Sequence, residues 1–106
     1  MALEIEQGDR VAIVSVSPGR SGSNTVDVSV FNQVDPGELP DELAVEIAPA
    51  NGSTGVINLA VEPVSQSRVI AADAQFTFQG NWTITVRARY GEFESIAFSQ
   101  AITIAP

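Results

Sequence analysis

Asp35, Glu38, Asp41 and Glu42 fall close together in one stretch of the chain. Carboxylate oxygens from loops are what calcium takes as ligands. They would serve Cu(II) only weakly, because that ion prefers nitrogen or sulfur donors. The spacing matches no EF-hand loop, and Pro36 and Pro40 stiffen the segment. The expected state is a solvated loop, with these four as weak metal candidates and no metal site assigned. Glu92 and Glu94 stand two apart at a strand start, so they would share a face. Neighbouring carboxylates raise one another's pKa, as a general acid/base pair requires. Nothing around them supplies a nucleophile or an oxyanion hole, and an exposed turn is expected. Arg87 and Arg89 also share a face and form the candidate interaction surface for an acidic partner or a carboxylate ligand. The plainer expectation pairs them across strands with Glu46 or Glu94.

The rest of the inventory narrows the chemistry further. The chain has no histidine and no cysteine, and its one methionine is Met1. A Ser-His-Asp triad, a cysteine nucleophile, a disulfide and imidazole or thiolate metal ligation are therefore excluded within it. No enzyme and no cofactor is expected. Gly19 and Gly22 sit in a Gly/Ser loop, but it opens a strand and the chain has no lysine, so it is not a phosphate cradle. Asn51-Gly52-Ser53 and Asn81-Trp82-Thr83 match the glycosylation sequon, which matters only in a eukaryotic secretory pathway. All five basic residues are arginine against 13 acidic ones, a net charge of -8. Such a chain repels nucleic acid and anionic membranes. No apolar run is long enough to span a bilayer, so direct membrane insertion is not expected. The acidic start, Met1 to Glu6, does not read as a signal peptide.

These groups must be held by strands, because period two dominates. The 106 residues suit one domain, 1–106. Residues 11–17 form a β-branched strand broken by Pro18 and Gly19. From Thr25 to Phe31, Val26, Val28 and Val30 take the core face, with Asp27 and Ser29 opposite. After a polar connection from Gln33 to Pro40, Leu43, Val45 and Ile47 point inward and Glu42 and Glu46 outward. Pro49 to Gly52 is a turn. Residues 55–62 form a strand with Ile57, Leu59 and Val61 on one face, ended by Pro63. Residues 64–75 fit a strand or a single helical turn, and Phe76 and Phe78 share one face of a short strand. Gln79 to Asn81 turns the chain. Trp82, Ile84, Val86, Ala88 and Tyr90 then give the strongest strand signal. Gly91 and Glu92 turn again, and residues 96–104 form one strand or two with a bulge. The expected core contains Trp82, Ile84, Val86, Phe76, Phe78, Val28 and Val45. About seven short strands without a helical period indicate an all-β fold, an immunoglobulin-like antiparallel β-sandwich. A small closed barrel is the other all-β solution.

Two segments carry a resemblance. Ser17-Pro18-Gly19 through Asn24-Thr25-Val26 leads into an alternating strand, and Gly80-Asn81-Trp82-Thr83-Ile84-Thr85-Val86-Arg87 is followed by Gly91-Glu92-Phe93. Together, over residues 11–104, they resemble the C-terminal extracytoplasmic β-sandwich domain of copper-transport membrane proteins of the copper resistance protein D type. That resemblance implies a non-catalytic accessory domain acting in docking or structural support, outside the cytoplasm, in the periplasm or at the cell surface. Its partners would be the membrane-embedded transporter region of the same parent chain and a separate copper-binding domain. The histidine and methionine that bind copper in such partner domains are missing here. The alternative is a structural or adhesive immunoglobulin-like module of a multidomain surface protein.

Overall fold

The computed structural model describes residues 1–52 and 55–106. Ser53 of the first sequon therefore lies outside the described residues. Among the described residues nine strands form: β1 (Ala2–Gln7), β2 (Arg10–Ser17), β3 (Gly22–Asn32), β4 (Glu42–Pro49), β5 (Ile57–Asn58), β6 (Glu62–Ser65), β7 (Arg68–Phe76), β8 (Gly80–Tyr90) and β9 (Glu94–Ile104). A five-stranded sheet runs β1-β2-β3-β7-β6, and a four-stranded sheet runs β5-β4-β8-β9. Every paired strand is antiparallel. Without β1 and β5, the order β2-β3-β7-β6 facing β4-β8-β9 is the A-B-E-D and C-F-G arrangement of an immunoglobulin-like sandwich.

The alternation that marks each strand also fills the space between the sheets. Val26, Val28 and Val30 of β3 face Val45 and Ile47 of β4 and Ile84 and Val86 of β8 across the interior, all nearly or wholly buried. Trp82 is fully buried. Phe76 meets it edge-on at 5.1 Å between ring centroids, and Phe78 lies tilted over it at 4.8 Å. The indole Nε1–H donates to the Phe78 carbonyl at 3.0 Å, which satisfies the one polar atom the ring carries into the core.

Several expectations need correction. Phe78 is not a core residue on the Phe76 strand. β7 ends at Phe76, and Phe78 sits half-buried in the following turn, capping Trp82. The expected strand over 55–62 divides. β5 pairs with β4 in one sheet, whereas β6 pairs with β7 in the other, so the chain changes sheets near Leu59. Ile57, Leu59 and Val61 keep their alternation because all three still lean on the core. Pro63 does not end a strand but lies within β6, where an edge position leaves its missing N–H without consequence. Gly80 and Asn81 belong to β8 rather than to a turn, and residues 68–76 form a strand. β9 is one strand, paired with β8 without a register shift from Tyr90↔Glu94 to Gly80↔Ile104. β1 was not expected at all. It turns back through Gly8 at φ 64 and pairs its full length with β2.

The sheets are tied together beyond β9. The Ala105 N–H donates to the Gly19 carbonyl at 3.0 Å, and the Ser21 N–H donates to the Ala105 carbonyl at 2.8 Å. The turn that receives them, with a cis Ser17–Pro18 bond, is organised by Asn24. This buried side chain accepts from the Gly19 N–H at 2.7 Å and the Arg20 N–H at 3.3 Å. It donates to the Arg20 carbonyl at 2.7 Å and the Gly22 carbonyl at 3.0 Å. Its amide thus acts as a short piece of strand where the chain must turn.

Candidate functional site

The densest charged cluster gathers at the end of the sandwich where the β3–β4 and β8–β9 loops meet. Its centre is Arg10, the first residue of β2, which the sequence did not single out. The guanidinium forms a fork on Glu38, with Nε to Oε1 at 2.6 Å and Nη2 to Oε2 at 2.8 Å. It also reaches Glu94 at the start of β9, with Nη2 to Oε1 at 3.2 Å and Nη1 to Oε2 at 3.3 Å. Its flat face lies over the Tyr90 ring, 4.0 Å from the centroid. Asn32 completes the cluster, donating to Glu38 Oε1 at 3.1 Å. The Asn32 side-chain oxygen Oδ1 accepts from the Val34 and Asp35 N–H groups at 2.9 and 2.8 Å, which shapes the start of the loop.

The electrostatics follow from that geometry. Hydrogen bonds from Arg10, then from Asn32, pull the Glu38 carboxyl down to about 2. The two carboxylates raise Arg10 above its ordinary value, first through Glu38 and then through Glu94. Burial, ahead of the neighbouring charges, raises the Tyr90 phenol. A charge-assisted fork is stronger and more directional than a single neutral hydrogen bond. The Arg10, Glu38 and Glu94 side chains thus occupy one another, and the arrangement pins the β3–β4 loop to both sheets.

The sequence candidates do not converge. Of the acidic stretch, Glu38 belongs to the Arg10 fork, Glu42 pairs with Arg89 at 3.3 Å, and Asp41 accepts from the Gly91 N–H. The Asp35 carbonyl accepts from the Glu38 N–H at 3.0 Å. Among the described residues, no group of three or more acidic side chains is placed to share a metal ion. Glu92 and Glu94 do not act as a pair on one strand face: Glu92 lies in the turn, while Glu94 opens β9 and is held by Arg10.

Arg87 and Arg89 lie on the solvent face of the four-stranded sheet. The register places Arg87 diagonal to Glu46 and Arg89 directly opposite Glu42. Arg87 forks onto Glu46 Oε1 at 2.8 and 3.0 Å, as the cross-strand reading expects. The other expected partner, Glu94, is taken by Arg10, and Arg89 turns instead to Glu42 and to the Gly91 carbonyl at 2.6 Å. On the opposite sheet Arg68 forks onto Asp27 at 2.6 and 3.0 Å and lowers that carboxyl. In the second sequon, Asn81 is exposed on β8 and accepts from the Thr103 hydroxyl at 3.3 Å, while Trp82 fills the core.

No protein-family model and no curated protein matches the sequence. Among solved structures the chain is similar to a DUF4426 family protein from Pseudomonas aeruginosa PAO1. The two share 14% identity and a TM-score of 0.66, over 99% of this chain and 95% of the other. At that identity the likeness shows the fold, a small β-sandwich, and it carries no link to copper resistance protein D.

Proposed function

We propose that the chain is a non-catalytic accessory domain, acting in docking or structural support outside the cytoplasm as part of a copper-transport-type membrane protein. One observation carries the non-catalytic part. Arg68, Arg87 and Arg89 pair with cross-strand carboxylates of the same chain, and Arg10 holds Glu38 of the β3–β4 loop and Glu94 of β9, so the charged groups fasten the chain's own elements to one another. The interior they enclose is filled by Trp82, Phe76, Phe98 and aliphatic side chains. The copper-transport setting rests on the sequence resemblance alone, through the turn before β3 and the Gly80–Arg87 strand.

The coding sequence on either side of these residues tests the setting. Several apolar stretches of about 18–25 residues beside the domain are the expected result. Further sandwich domains in series with no polytopic region would overturn it. They would favour a structural or adhesive module, a reading supported by the A-B-E-D and C-F-G strand order that such modules share.

A further inference from the structure

The geometry points to the free edge of β4 as a docking site for an extended, basic segment of a partner protein, added as a further strand to the four-stranded sheet. This inference rests on the docking reading above and names where docking occurs.

β5 covers only part of β4. It pairs with Glu46 and Ile47, and the Leu59 N–H adds one bond to the Val45 carbonyl at 2.9 Å. In an antiparallel strand, alternate residues turn their backbone groups to the same side. Leu43 therefore presents its N–H and carbonyl to the same edge as Val45 and Ile47, beyond the reach of β5. Beside this stretch a groove of about 240 Å³ opens between the sheets. Asp41, Glu42 and Leu43 line one wall, and Val61, Pro63 and Val69 line the other. Leu43 and Val69 are nearly buried at 8% and 6% exposure, so the floor is apolar. An added strand would gain ladder hydrogen bonds from β4 and place one apolar side chain in the groove, the two components of strand addition.

The other edges lack this combination. β6 carries Pro63 and a register shift, both of which discourage pairing. β1 exposes Glu4 and Glu6. β9 runs beside β1, and the residue after it is tied to Gly19 and Ser21. Charge sets the character of the occupant. Asp41 and Glu42 rim the open side, in a chain whose net charge is -8. The Glu42 ion pair spans 3.3 Å with Glu42 at 65% exposure, so its carboxylate can exchange Arg89 for an incoming cation. The segment that fits has an apolar residue flanked by lysine or arginine in extended conformation. The net charge also disfavours a second copy of this chain at the same edge.

The test titrates the isotope-labelled 106-residue chain with a short peptide alternating lysine and valine, following backbone amides by NMR. The expected result is shifts at Leu43, Val45, Val61 and Val69, with slowed exchange of the Leu43 amide. Glu42→Lys and Val61→Lys should each weaken binding by about tenfold or more, with a melting curve confirming that each variant is folded. Shifts along β9, at Ala97, Ser99 and Ala101, would overturn the β4 assignment while leaving the docking reading standing. No shift at millimolar peptide, or equal binding of an alternating glutamate and valine peptide, would overturn the inference. The accessory-domain reading would then still be judged by its own test, the flanking sequence.

Discussion

Replacing Asn24 by alanine removes one side chain and four hydrogen bonds. The Gly19 and Arg20 N–H groups lose their acceptor, and the Arg20 and Gly22 carbonyls lose their donor. Asn24 is 2% exposed, and its bond from Gly19 is fully buried. Leaving a buried donor unmade costs about 1–3 kcal/mol, and an ordinary bond that water can partly replace contributes about 0.5–1.5 kcal/mol. With water recovering part of the three less buried bonds, the loss comes to about 3 kcal/mol. Domains of this size hold about 5–15 kcal/mol in all. At about 4–8 °C per kcal/mol, the melting temperature should fall by roughly 12–24 °C. Urea unfolding followed by Trp82 fluorescence measures the change directly. Asn81→Ala is the control, because that exposed asparagine carries a single 3.3 Å bond from Thr103, and it should move stability by less than about 0.5 kcal/mol. A loss below about 1 kcal/mol for Asn24→Ala would show that the turn holds without its asparagine and refute the reasoning.

Trp82→Ala should cost about 3–5 kcal/mol by emptying the centre of the core, and the variant should show a broad or missing calorimetric transition. A melt within a few degrees of the parent would contradict its placement. The Glu38 carboxyl titrates near 2 in the folded chain against an ordinary 4.5. Its contribution is therefore fully present above about 4.5 and is lost as pH falls from there through 2. In melts across that range, the gap between the parent and Glu38→Gln should be largest at neutral pH and vanish near pH 2. A gap that stays constant would mean that the Arg10 fork is not formed in solution. A double-mutant cycle on Arg87 and Glu46 should give a coupling of about 0.2–1 kcal/mol that shrinks with salt, because the pair lies on the solvent face. A coupling above about 2 kcal/mol would show that the pair is desolvated.

The strands that were legible are those with one buried face and several turns of alternation. Val26, Val28 and Val30 of β3 and Trp82, Ile84, Val86 and Ala88 of β8 each had their inward side readable from period two. β1 escaped notice because only Leu3 and Ile5 carry its signal, between glutamates that suit a solvated edge. The division of residues 57–65 was hidden for a different reason. A chain stepping from one sheet to the other along the core keeps its alternation, so periodicity cannot show the step. Phe78 misled because its spacing from Phe76 matches a strand, whereas the chain has already left the sheet and the ring closes over Trp82 from a turn. Of the charged contacts, Arg87 with Glu46 was accessible because strand neighbours pair across a ladder. The Arg10 cluster was not, since Arg10, Glu38, Tyr90 and Glu94 come from separate elements and meet only after the sheets have packed.

The order of the strands also bears on time. The β8–β9 hairpin needs only the turn through Gly91 to Phe93, and a hairpin forms in about 1–10 μs. The β3–β7 ladder, by contrast, brings together Asp27 and Arg68, 41 positions apart. The Arg10 to Glu94 contact spans 84. Such closures must give up chain entropy before any contact repays it, which places sandwiches of this wiring among domains that fold in milliseconds to seconds. A hairpin alone is only marginally stable in water, so for most of that interval the acidic chain exposes unpaired strands. Its like charges then keep one folding molecule from pairing with the next.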